Sequence, residues 1–432
     1  MPKTLASYPE TYYAATAPLP QATAPLQGAI TADVCVVGAG MAGCSAALEL
    51  AERGFKVVLL EEERAGWGAS GRNGGQALPG VAKGQAALEK LVGVGDARAI
   101  WAMTLEGLEL MRKRIARHAI DCDWVDGHMQ VAIKERQEIE LRSEQEALAR
   151  LGYATIRLYA RDELQALLAT ERYRAGLYDT HSAHLHPLKY TLGLARAAQQ
   201  AGVVLHEGTR AANYRADSSG LYVRTSANGA SGEVRCQHLL LAGNAYLGDL
   251  APALARKVMA VGTYIIATEP LGETRARELI ANNAAIADLN WVIDYYRRSA
   301  DHRLLFGGRV SYSGIEQFEV VRATRARMLR VYPQLANTKI DYQWGGYVDI
   351  TMNRAPNFGR LAPNVWFLQG FCGHGVVLTG IAGVLAAEAI AGTAERFDVF
   401  ARIAHHDFPG GALLRRPALV LAMLWYRLRD LL

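Results

Sequence analysis

One segment constrains the fold of this chain more than any other, DVCVVGAGMAGCSAALELAERGFKVVLLEEE at residues 33–63. Its pattern of apolar residues predicts a buried strand at 33–37, a helix at 44–53 and a second strand at 56–60. The turn before the helix has the spacing G-x-G-x-x-G. Together these features predict a βαβ unit that binds a dinucleotide.

Each glycine of the motif has a separate mechanical role. Gly38 makes the tight turn, Gly40 lets the backbone approach a pyrophosphate, and Gly43 lets the helix pack on the strand. The helix N-terminus offers N–H groups to the phosphates, and Glu61 is spaced to bind a ribose. The alternative is a glycine-rich helix start without a ligand. The cofactor residues predicted from this unit are Gly38, Gly40, Met41, Ala42, Gly43, Glu61 and Glu62.

A second glycine-rich segment, GWGASGRNGGQ at residues 66–76, follows the second strand and contains five glycines. A backbone with so few side chains lets amide groups wrap a second time around a long cofactor, which a nicotinamide enzyme does not need. The alternative is a surface loop in which Arg72 is solvated. The predicted cofactor residues here are Gly68, Ala69, Ser70, Arg72, Asn73, Gly74, Gly75 and Gln76.

With these two segments the chain resembles the FAD-dependent oxidoreductases of the D-amino-acid-oxidase type, the superfamily of glycine and sarcosine oxidases. The resemblance implies that the ADP half of FAD sits on the G-x-G-x-x-G unit and that the 66–76 loop passes the pyrophosphate and the flavin. Arg72 occupies the position of the family's flavin-edge arginine. The implied fold class is α/β, with a discontinuous Rossmann-like FAD-binding domain and a substrate domain that has a mixed or antiparallel sheet.

Two later regions look like further parts of the family's FAD site. VRCQHLLLAGN at 234–244 predicts an apolar strand, preceded by a helix at 187–201 and a strand. A strand at 365–369 leads into GFCGHG and an apolar helix of about 16 residues, too short for a membrane span of about 20. We predict that this helix is buried and that its N-terminus stabilises negative charge on the flavin. The predicted cofactor residues are Ala211, Ala242, Gly243, Arg354, Gly370, Gly373, His374, Gly375, Val376 and Thr379.

Two departures from the sarcosine-oxidase branch bear on the chemistry. That branch tethers its flavin to a cysteine before the G-F-x-G-H-G strand, and residues 345–364 contain none. We therefore expect noncovalent FAD. The branch also activates oxygen with a lysine on a strand that corresponds roughly to 301–309, which contains no lysine. Rapid reaction with oxygen is not assured, and another electron acceptor stays open.

The length of the chain predicts two packed domains. We assign 28–85, 183–250 and 345–396 to the FAD-binding domain and 86–182 and 251–344 to the substrate domain. Residues 1–27 form an N-terminal arm, and 397–432 form an amphipathic C-terminal tail. In the substrate domain we predict strands at 127–134, 261–271, 292–297 and 303–310 and helices near 101–117, 134–150 and 314–332.

The catalytic candidates are Arg72, His374, Tyr295 and Trp291. We assign His374 an electrostatic and orienting role rather than that of a general base. Tyr295 and its neighbour Tyr296 point to opposite faces of a strand, so only one of them can face the flavin. Arg297 or Arg298 either binds a substrate carboxylate or is solvated.

Over its whole length the chain is similar to the γ-glutamylputrescine oxidoreductases, in particular in YYAATA, DYYRRSADHRLLFGGR, GFCGHGVVLTG and RPALVLAMLWYRLRDLL. This implies that the terminal amine of a γ-glutamylated polyamine is oxidised to an aldehyde, with release of ammonia. The alternatives are an oxidase of another amine or of an N-methyl amino acid, and a flavoprotein that uses FAD only as a scaffold. A further alternative is a dehydrogenase that contacts a membrane through the tail from Arg415 and reduces quinone; that tail otherwise packs on the protein's own surface.

Charge and cysteine content exclude several other classes. The net charge of +5 is not concentrated in basic runs, which argues against nucleic-acid binding. The five cysteines are never spaced C-x-x-C, so we predict no metal site and no disulfide framework. No secretory signal is visible, and we expect a cytoplasmic enzyme. Its expected partners are a small amine and oxygen or another electron acceptor.

Overall fold

The structure is a computed structural model that describes residues 7–227, 230–311 and 317–409. Its helices are α1 (Tyr12–Thr16), α2 (Met41–Glu52), α3 (Gln85–Val92), α4 (Val94–Arg117), α5 (Glu135–Arg150), α6 (Arg161–Gln165), α7 (Pro187–Gln200), α8 (Pro252–Ala255), α9 (Glu273–Leu279), α10 (Gln317–Val331), α11 (Gly375–Ile390) and α12 (Glu395–Ala401). Its strands are β1 (Gly28–Thr31), β2 (Val34–Val37), β3 (Val57–Leu60), β4 (Gln76–Ala77), β5 (Val125–Ala132), β6 (Ile156–Ala160), β7 (Ala175–His184), β8 (Val204–His206), β9 (Arg210–Asp217), β10 (Gly220–Ala227), β11 (Ala230–Cys236), β12 (His238–Leu241), β13 (Val258–Thr268), β14 (Ala285–Asp288), β15 (Tyr295–Arg298), β16 (Leu304–Ser311), β17 (Ile340–Thr351), β18 (Asn357–Ala362) and β19 (Val365–Gln369).

A six-stranded sheet in the order β18-β19-β12-β2-β3-β8 lies between a layer of helices and a second sheet. Its neighbouring strands are parallel except β18, which runs antiparallel to β19. Because successive strand residues point to opposite faces, Val34 and Val36 pack with the helices, whereas Cys35 packs with the second sheet. That second sheet has the order β1-β11-β10-β9.

The predicted βαβ unit is present as β2, α2 and β3, and its helix begins earlier than predicted. The first helical residue is Met41. Gly40 is therefore the N-cap, and Gly43, the last glycine of the motif, lies inside the first turn. The predicted helix at 187–201 corresponds to α7, and the apolar C-terminal helix corresponds to α11. The parallel sheet and the helices on its face confirm the α/β fold class.

The prediction of one strand at 234–244 is wrong. The segment forms the end of β11 and all of β12, which belong to different sheets. The chain passes between the two layers at Gln237, where the N–H groups of Gln237 and His238 both donate to the carbonyl oxygen of Asp33 at 3.0 Å. Because residues of both strands are buried, the apolar pattern of the sequence does not show where β11 ends and β12 begins.

The third sheet has nine strands, in the order β17-β13-β16-β15-β14-β5-β7-β4 with β6 paired to β7. It is mixed, as predicted, since β14 and β5 are parallel and the other pairs are antiparallel. The strand predicted at 292–297 is shorter, because Asn290 and Asp294 each donate an N–H to Asp288 Oδ1 at 3.1 Å and hold a turn before β15. The predicted domain boundary at 345 falls inside β17, and the domain division stays a prediction.

Helix α11 is buried along most of its length, as predicted. Within the described ranges, no helix is by itself long and apolar enough to cross a membrane. The pair α11 and α12 meets that criterion only when the two are counted together, and they are bent by 119° at their junction. The tail from Arg415, for which membrane contact is one alternative and packing on the protein's own surface the other, lies outside the described residues.

Candidate active site

A cleft opens beside the N-termini of α2 and α11. Neither N-cap residue, Gly40 or His374, bonds the first turn with its side chain, so backbone N–H groups at both helix starts are available to a ligand. Every segment that the sequence assigned to the cofactor contributes to the lining. The predicted residues that line the cleft are Gly38, Gly40, Met41, Ala42, Glu61, Glu62, Gly68, Ala69, Ser70, Asn73, Ala211, Ala242, Gly243, Gly373, Gly375, Val376 and Thr379.

The cleft has two parts. The motif part is lined by Gly38, Gly40, Met41, Ala42, Glu61 and Glu62, and the α11 part is lined by Val348, Asp349, Phe371, Gly373, Gly375, Val376 and Thr379. In the motif part, a Cβ on Gly43 would lie 1.9 Å from the carbonyl oxygen of Gly38. The helix therefore reaches the strand only because this residue is glycine. Gly43 does not line the cleft itself, but it brings the start of α2 to it.

Glu61 is a half-buried carboxyl in the motif part. Its Oε2 accepts the N–H of Ala39 at 2.8 Å, and its Oε1 accepts the N–H of Glu63 at 2.9 Å. Burial raises the pKa of Glu61 to about 7, against the opposing effect of these two hydrogen bonds. A carboxyl in this position at the end of the second strand is placed to accept hydrogen bonds from a ribose.

Ser70 and Asn73 connect the 66–76 loop to the cleft. Ser70 Oγ accepts the N–H of Met41 at 2.9 Å, which ties the loop to the start of α2. Asn73 holds the loop in shape, because its Nδ2 donates to the carbonyl of Ala69 at 3.0 Å and its Oδ1 accepts the N–H of Gly75 at 2.7 Å. The loop therefore follows the start of the helix, as the pattern of glycines predicted.

Arg72 lies behind the aromatic wall of the cleft rather than in its lining. Its guanidinium carbon lies 4.4 Å from the ring centroid of Trp67, and its Nη2 donates to the hydroxyl of Tyr246 at 3.0 Å. Its Nη1 donates to the carbonyl of Gly345 at 3.2 Å. Since Trp67 and Tyr246 both line the cleft, Arg72 orients two aromatic rings toward a bound ligand.

His374 holds the start of α11 from outside the cleft lining. Its Nε2 lies 3.0 Å from the carbonyl oxygen of Pro79, so Nε2 carries the hydrogen and donates it. Burial lowers the pKa of His374. A neutral ring that is tied to a backbone carbonyl fits the predicted orienting role better than that of a general base.

The other predicted residues outside the lining are Gly43, Gly74, Gly75, Gln76, Arg354, Gly370, Tyr295 and Trp291. Gln76 points into the nine-stranded sheet, where its Nε2 donates to the carbonyl of Ile286 at 3.1 Å. Trp291 is 38% exposed, and its ring centroid lies 5.8 Å from the guanidinium carbon of Arg354. The structure does not bring these residues to the cleft surface, and their roles in catalysis or cofactor binding stay predictions.

Tyr295 supports the 66–76 loop from behind. A Cβ on Gly74 would lie 2.8 Å from Cε2 of Tyr295, so the ring occupies the space that a side chain would need. Burial raises the pKa of the Tyr295 phenol, which therefore stays protonated. Tyr296 faces the other side of the sheet and stacks on Phe306 with 5.4 Å between ring centroids, which confirms the predicted alternation.

The hypothesis that Arg297 binds a substrate carboxylate is wrong. This side chain is 3% exposed. Its guanidinium donates to the carbonyls of Gly74 and Leu185, both at 2.8 Å, and to the hydroxyl of Tyr13 at 3.1 Å. Arg297 therefore joins the 66–76 loop to the residue after β7 and to helix α1 of the N-terminal arm, and it does not line the cleft.

Sequence reasoning missed several residues that line the cleft. Most of them are neighbours of predicted residues, and extending each motif by a few positions would have found them. Val348 and Asp349 are different, because they lie on β17 in a segment without a recognisable motif. The missed residues are Val37, Leu60, Glu63, Gly66, Trp67, Thr209, Arg210, Asn244, Tyr246, Leu247, Leu250, Val348, Asp349 and Phe371.

The chemistry of this lining fits FAD. The motif part has the start of α2, the close approach of α2 to the backbone of Gly38, and the carboxyl of Glu61. The ADP half of a dinucleotide requires all three. The α11 part offers a second helix start, whose positive dipole end suits a ring system that gains negative charge. All five cysteines are free and buried, and none lines the cleft, so no thiol is placed for a covalent link. Within the described ranges, no group of three or more His, Cys, Asp or Glu side chains could hold a metal ion.

Comparison with known proteins agrees with this geometry. Residues 33–389 match the family described as FAD dependent oxidoreductase, abbreviated DAO. The chain is 41% identical over 427 residues to the gamma-glutamylputrescine oxidoreductase of Escherichia coli K12, which covers 99% of both chains. It is 41% identical over 405 residues to the probable oxidoreductase OrdL of Haemophilus influenzae, which covers 92% of both. The crystal structure of glycine oxidase from Geobacillus kaustophilus is similar in fold, with a TM-score of 0.70 and 20% identity over 84% of this chain and 95% of that one.

The cofactor of this protein is therefore FAD. The reaction class follows from the same comparisons, since the protein is an oxidoreductase that acts on amines. The matched segment contains both helix starts and all of the cleft residues that lie between them in sequence. The chain belongs to the DAO family of FAD dependent oxidoreductases.

Proposed function

We propose that this protein oxidises the terminal amine of γ-glutamylputrescine or of a similar γ-glutamylated polyamine. The observation that supports this substrate most strongly is the 41% identity to gamma-glutamylputrescine oxidoreductase over 99% of the chain. The carbon next to the amine loses a hydride, and water hydrolyses the resulting imine to an aldehyde and ammonia. Bound FAD supplies the hydride acceptor, N5 of its flavin. With oxygen as the final electron acceptor, hydrogen peroxide is formed in addition to the aldehyde and ammonia.

The first task of the protein is to take up the amine in its neutral form. An alkylammonium does not release hydride, because a proton occupies the nitrogen lone pair, and the pKa of such an amine is about 10.4 in water. Aromatic surroundings and a nearby cation both favour the neutral amine. Trp67 and Tyr246 line the cleft, and the Arg72 guanidinium contacts both. We assign these three residues to the lowering of the amine pKa, which makes a dedicated base unnecessary.

The second task is to stabilise the negative charge that arrives with the hydride. The backbone N–H groups of Gly373, Gly375 and Val376, at the start of α11, are the groups that we assign to it. His374 keeps these groups in place through its hydrogen bond to Pro79. Because its Nε2 already donates to that carbonyl and its ring does not line the cleft, we assign it no part in proton transfer.

The proposal is tested by the visible spectrum of the FAD-loaded protein under anaerobic conditions, before and after addition of γ-glutamylputrescine. Bleaching of the flavin band supports the proposed substrate. Rapid recovery with peroxide on admitting air identifies oxygen as the acceptor, whereas slow recovery points to a dehydrogenase. Putrescine, which lacks the glutamyl group, is the matched control. If γ-glutamylputrescine leaves the band unchanged while sarcosine or another amine bleaches it, the proposed substrate is wrong.

A further inference from the structure

A buried carboxyl in the α11 part of the cleft has no role in the function described so far. Asp349 lies on β17, lines the cleft and is 1% exposed. In the part of the chain that the structure describes, the hydrogen-bond partners of its carboxylate are neutral groups. Placing an ionisable group there without a cation costs free energy, so its position calls for a functional reason.

The hydrogen bonds of Asp349 join two separate walls of the cleft. The N–H of Gly370 donates to Oδ2 of Asp349, and the N–H of Cys372 donates to its main-chain carbonyl at 3.0 Å. From the other wall, the side-chain amide nitrogen of Asn244 lies 3.0 Å from Oδ1 when the amide is oriented toward the carboxylate. Asn244 has a φ of +52°, in the left-handed region that is unfavourable for most residues. Its bond to Asp349 offsets part of that cost.

We propose that Asp349 is a positioning residue for the bound flavin: it fixes the turns at 243–244 and 370–373 against each other and places a negative charge beside the cofactor. The motif part of the cleft takes the ADP half of FAD, so the flavin half extends toward the α11 part that Asp349 lines. There the start of α11 favours negative charge on the flavin and an ionised Asp349 opposes it. The balance between the two sets the reduction potential. The inference rests on FAD as cofactor and not on the proposed substrate.

The charge of Asp349 changes in an accessible pH range. Burial raises its pKa to about 6, against the hydrogen bonds to Gly370 and Asn244. Cys372 faces it from the loop before α11, and burial raises the pKa of that thiol to about 11. Burial lowers the pKa of His374 at the start of α11. The positive charge of Arg354 lowers the pKa of both Cys372 and His374. Asp349, which lines this part of the cleft, therefore changes its charge near pH 6.

The test is the midpoint potential of the flavin in FAD-loaded protein from pH 5 to pH 8, for the natural chain and for Asp349→Asn. Asparagine has the same shape and still accepts the Gly370 N–H, while Asn244 turns its amide to match. At pH 8 we expect the variant to favour the reduced flavin about tenfold more, an upward shift of about 30 mV for a two-electron couple. The difference should disappear at pH 5, where Asp349 is protonated in the natural chain. A merely structural role would not produce this pH dependence.

Asp179→Asn is the matched control, because this carboxylate also accepts neutral donors, the hydroxyls of Tyr153 at 2.8 Å and Thr155 at 2.9 Å, but does not line the cleft. Its potential should equal that of the natural chain at every pH. If Asp349→Asn retains FAD and also has an unchanged potential from pH 5 to pH 8, the proposal is overturned.

Should Asp349→Asn bind FAD too weakly for the potential to be measured, Asn244→Gly provides a second test. Glycine accepts the left-handed turn but removes the donor that stabilises the ionised carboxyl. The pH at which the flavin potential changes slope should then move upward. An unchanged pH of that transition in Asn244→Gly contradicts the proposal as well.

Discussion

Glu61, which is half-buried, and Asp349, which is buried, are two carboxyls that line different parts of the same cleft. Both accept backbone N–H groups, and burial raises the pKa of both, to about 7 and about 6. They differ in where their partners come from. Those of Glu61 are Ala39 and Glu63, in or next to the same βαβ unit, whereas Asp349 bonds residues from two other segments of the chain. The motif part is thus organised locally, and the α11 part depends on the assembly of distant segments.

Gly43→Ala should have the largest effect, and it tests whether the motif part depends on its local close approach. The new Cβ would meet the Gly38 carbonyl oxygen at 1.9 Å, a backbone atom that cannot move away without displacing β2. We expect loss of FAD and a decrease of about 3 kcal/mol or more in the free energy of unfolding, at the upper end for overpacking. The absorbance ratio of flavin to protein and thermal unfolding measure both.

Gly95→Ala in α4 is the control for this substitution, because a Cβ there meets no atom within 4 Å. It should be neutral or stabilise the protein by up to about 1 kcal/mol. A Gly43→Ala protein with full FAD content and unchanged stability would show that the close approach of α2 to β2 does not organise the motif part.

The second prediction concerns the pH dependence of stability in the protein without FAD. Both carboxyls have pKa values in the folded state above those of the unfolded chain, about 4.3 for Glu and 3.9 for Asp, so folding favours their protonated forms. Their contribution is therefore fully present below about pH 4 and is lost as the pH rises through 7 for Glu61 and 6 for Asp349. The loss is on the order of 3 to 4 kcal/mol for Glu61 and about 3 kcal/mol for Asp349.

Urea unfolding of the apoprotein from pH 4 to pH 8 measures this decline. Glu61→Gln should remove the part that extends to pH 7, and Asp349→Asn the part that ends near pH 6, since neither amide titrates. The same slope in the natural chain and in both variants would show that neither carboxyl titrates in the way that its burial requires.

The third prediction compares the same two substitutions by FAD affinity. Glu61→Gln replaces an acceptor-only carboxylate with an amide whose NH₂ group faces the N–H of Ala39 or Glu63, and it should weaken FAD binding about tenfold, or about 1.4 kcal/mol. Asp349→Asn should weaken binding much less, because it keeps the hydrogen bonds to both walls. Fluorescence titration of the apoprotein with FAD measures both, and an equal loss in the two variants would remove the distinction between the two parts of the cleft.

The smallest effect is expected for Tyr295→Phe. The ring packs behind Gly74, outside the cleft lining, and its hydroxyl contributes little to that packing. Stability should change by less than about 1 kcal/mol, and the rate of anaerobic flavin reduction by an amine that bleaches the band should stay within twofold. A tenfold slower reduction with unchanged stability would show that Tyr295 takes part in flavin reduction. The residues that affect this step would then not be confined to the motif part and the α11 part.

Sequence reasoning succeeded where a site is built from residues that are close in the chain. The 33–63 unit, the 66–76 loop and the GFCGHG turn each supply several cleft residues at the expected positions. It failed at 234–244, where two buried strands look like one. It also failed at Arg297, where a side chain interpreted as either substrate-binding or solvated instead joins the arm, the 66–76 loop and the residue after β7. A local pattern reports that a residue is buried or exposed, but it does not report which segment lies opposite.

By itself, the sequence determined the α/β class, the dinucleotide motif, the choice of FAD and the family, because regular backbone geometry places residues at fixed spacings into predictable positions. Only the tertiary structure decided that Asp349 meets Asn244 and Gly370, that Arg72 stands behind Trp67 and Tyr246, and that Tyr295 supports the loop. These contacts join segments far apart in the chain. Their geometry depends on how whole layers pack, and no local spacing encodes that.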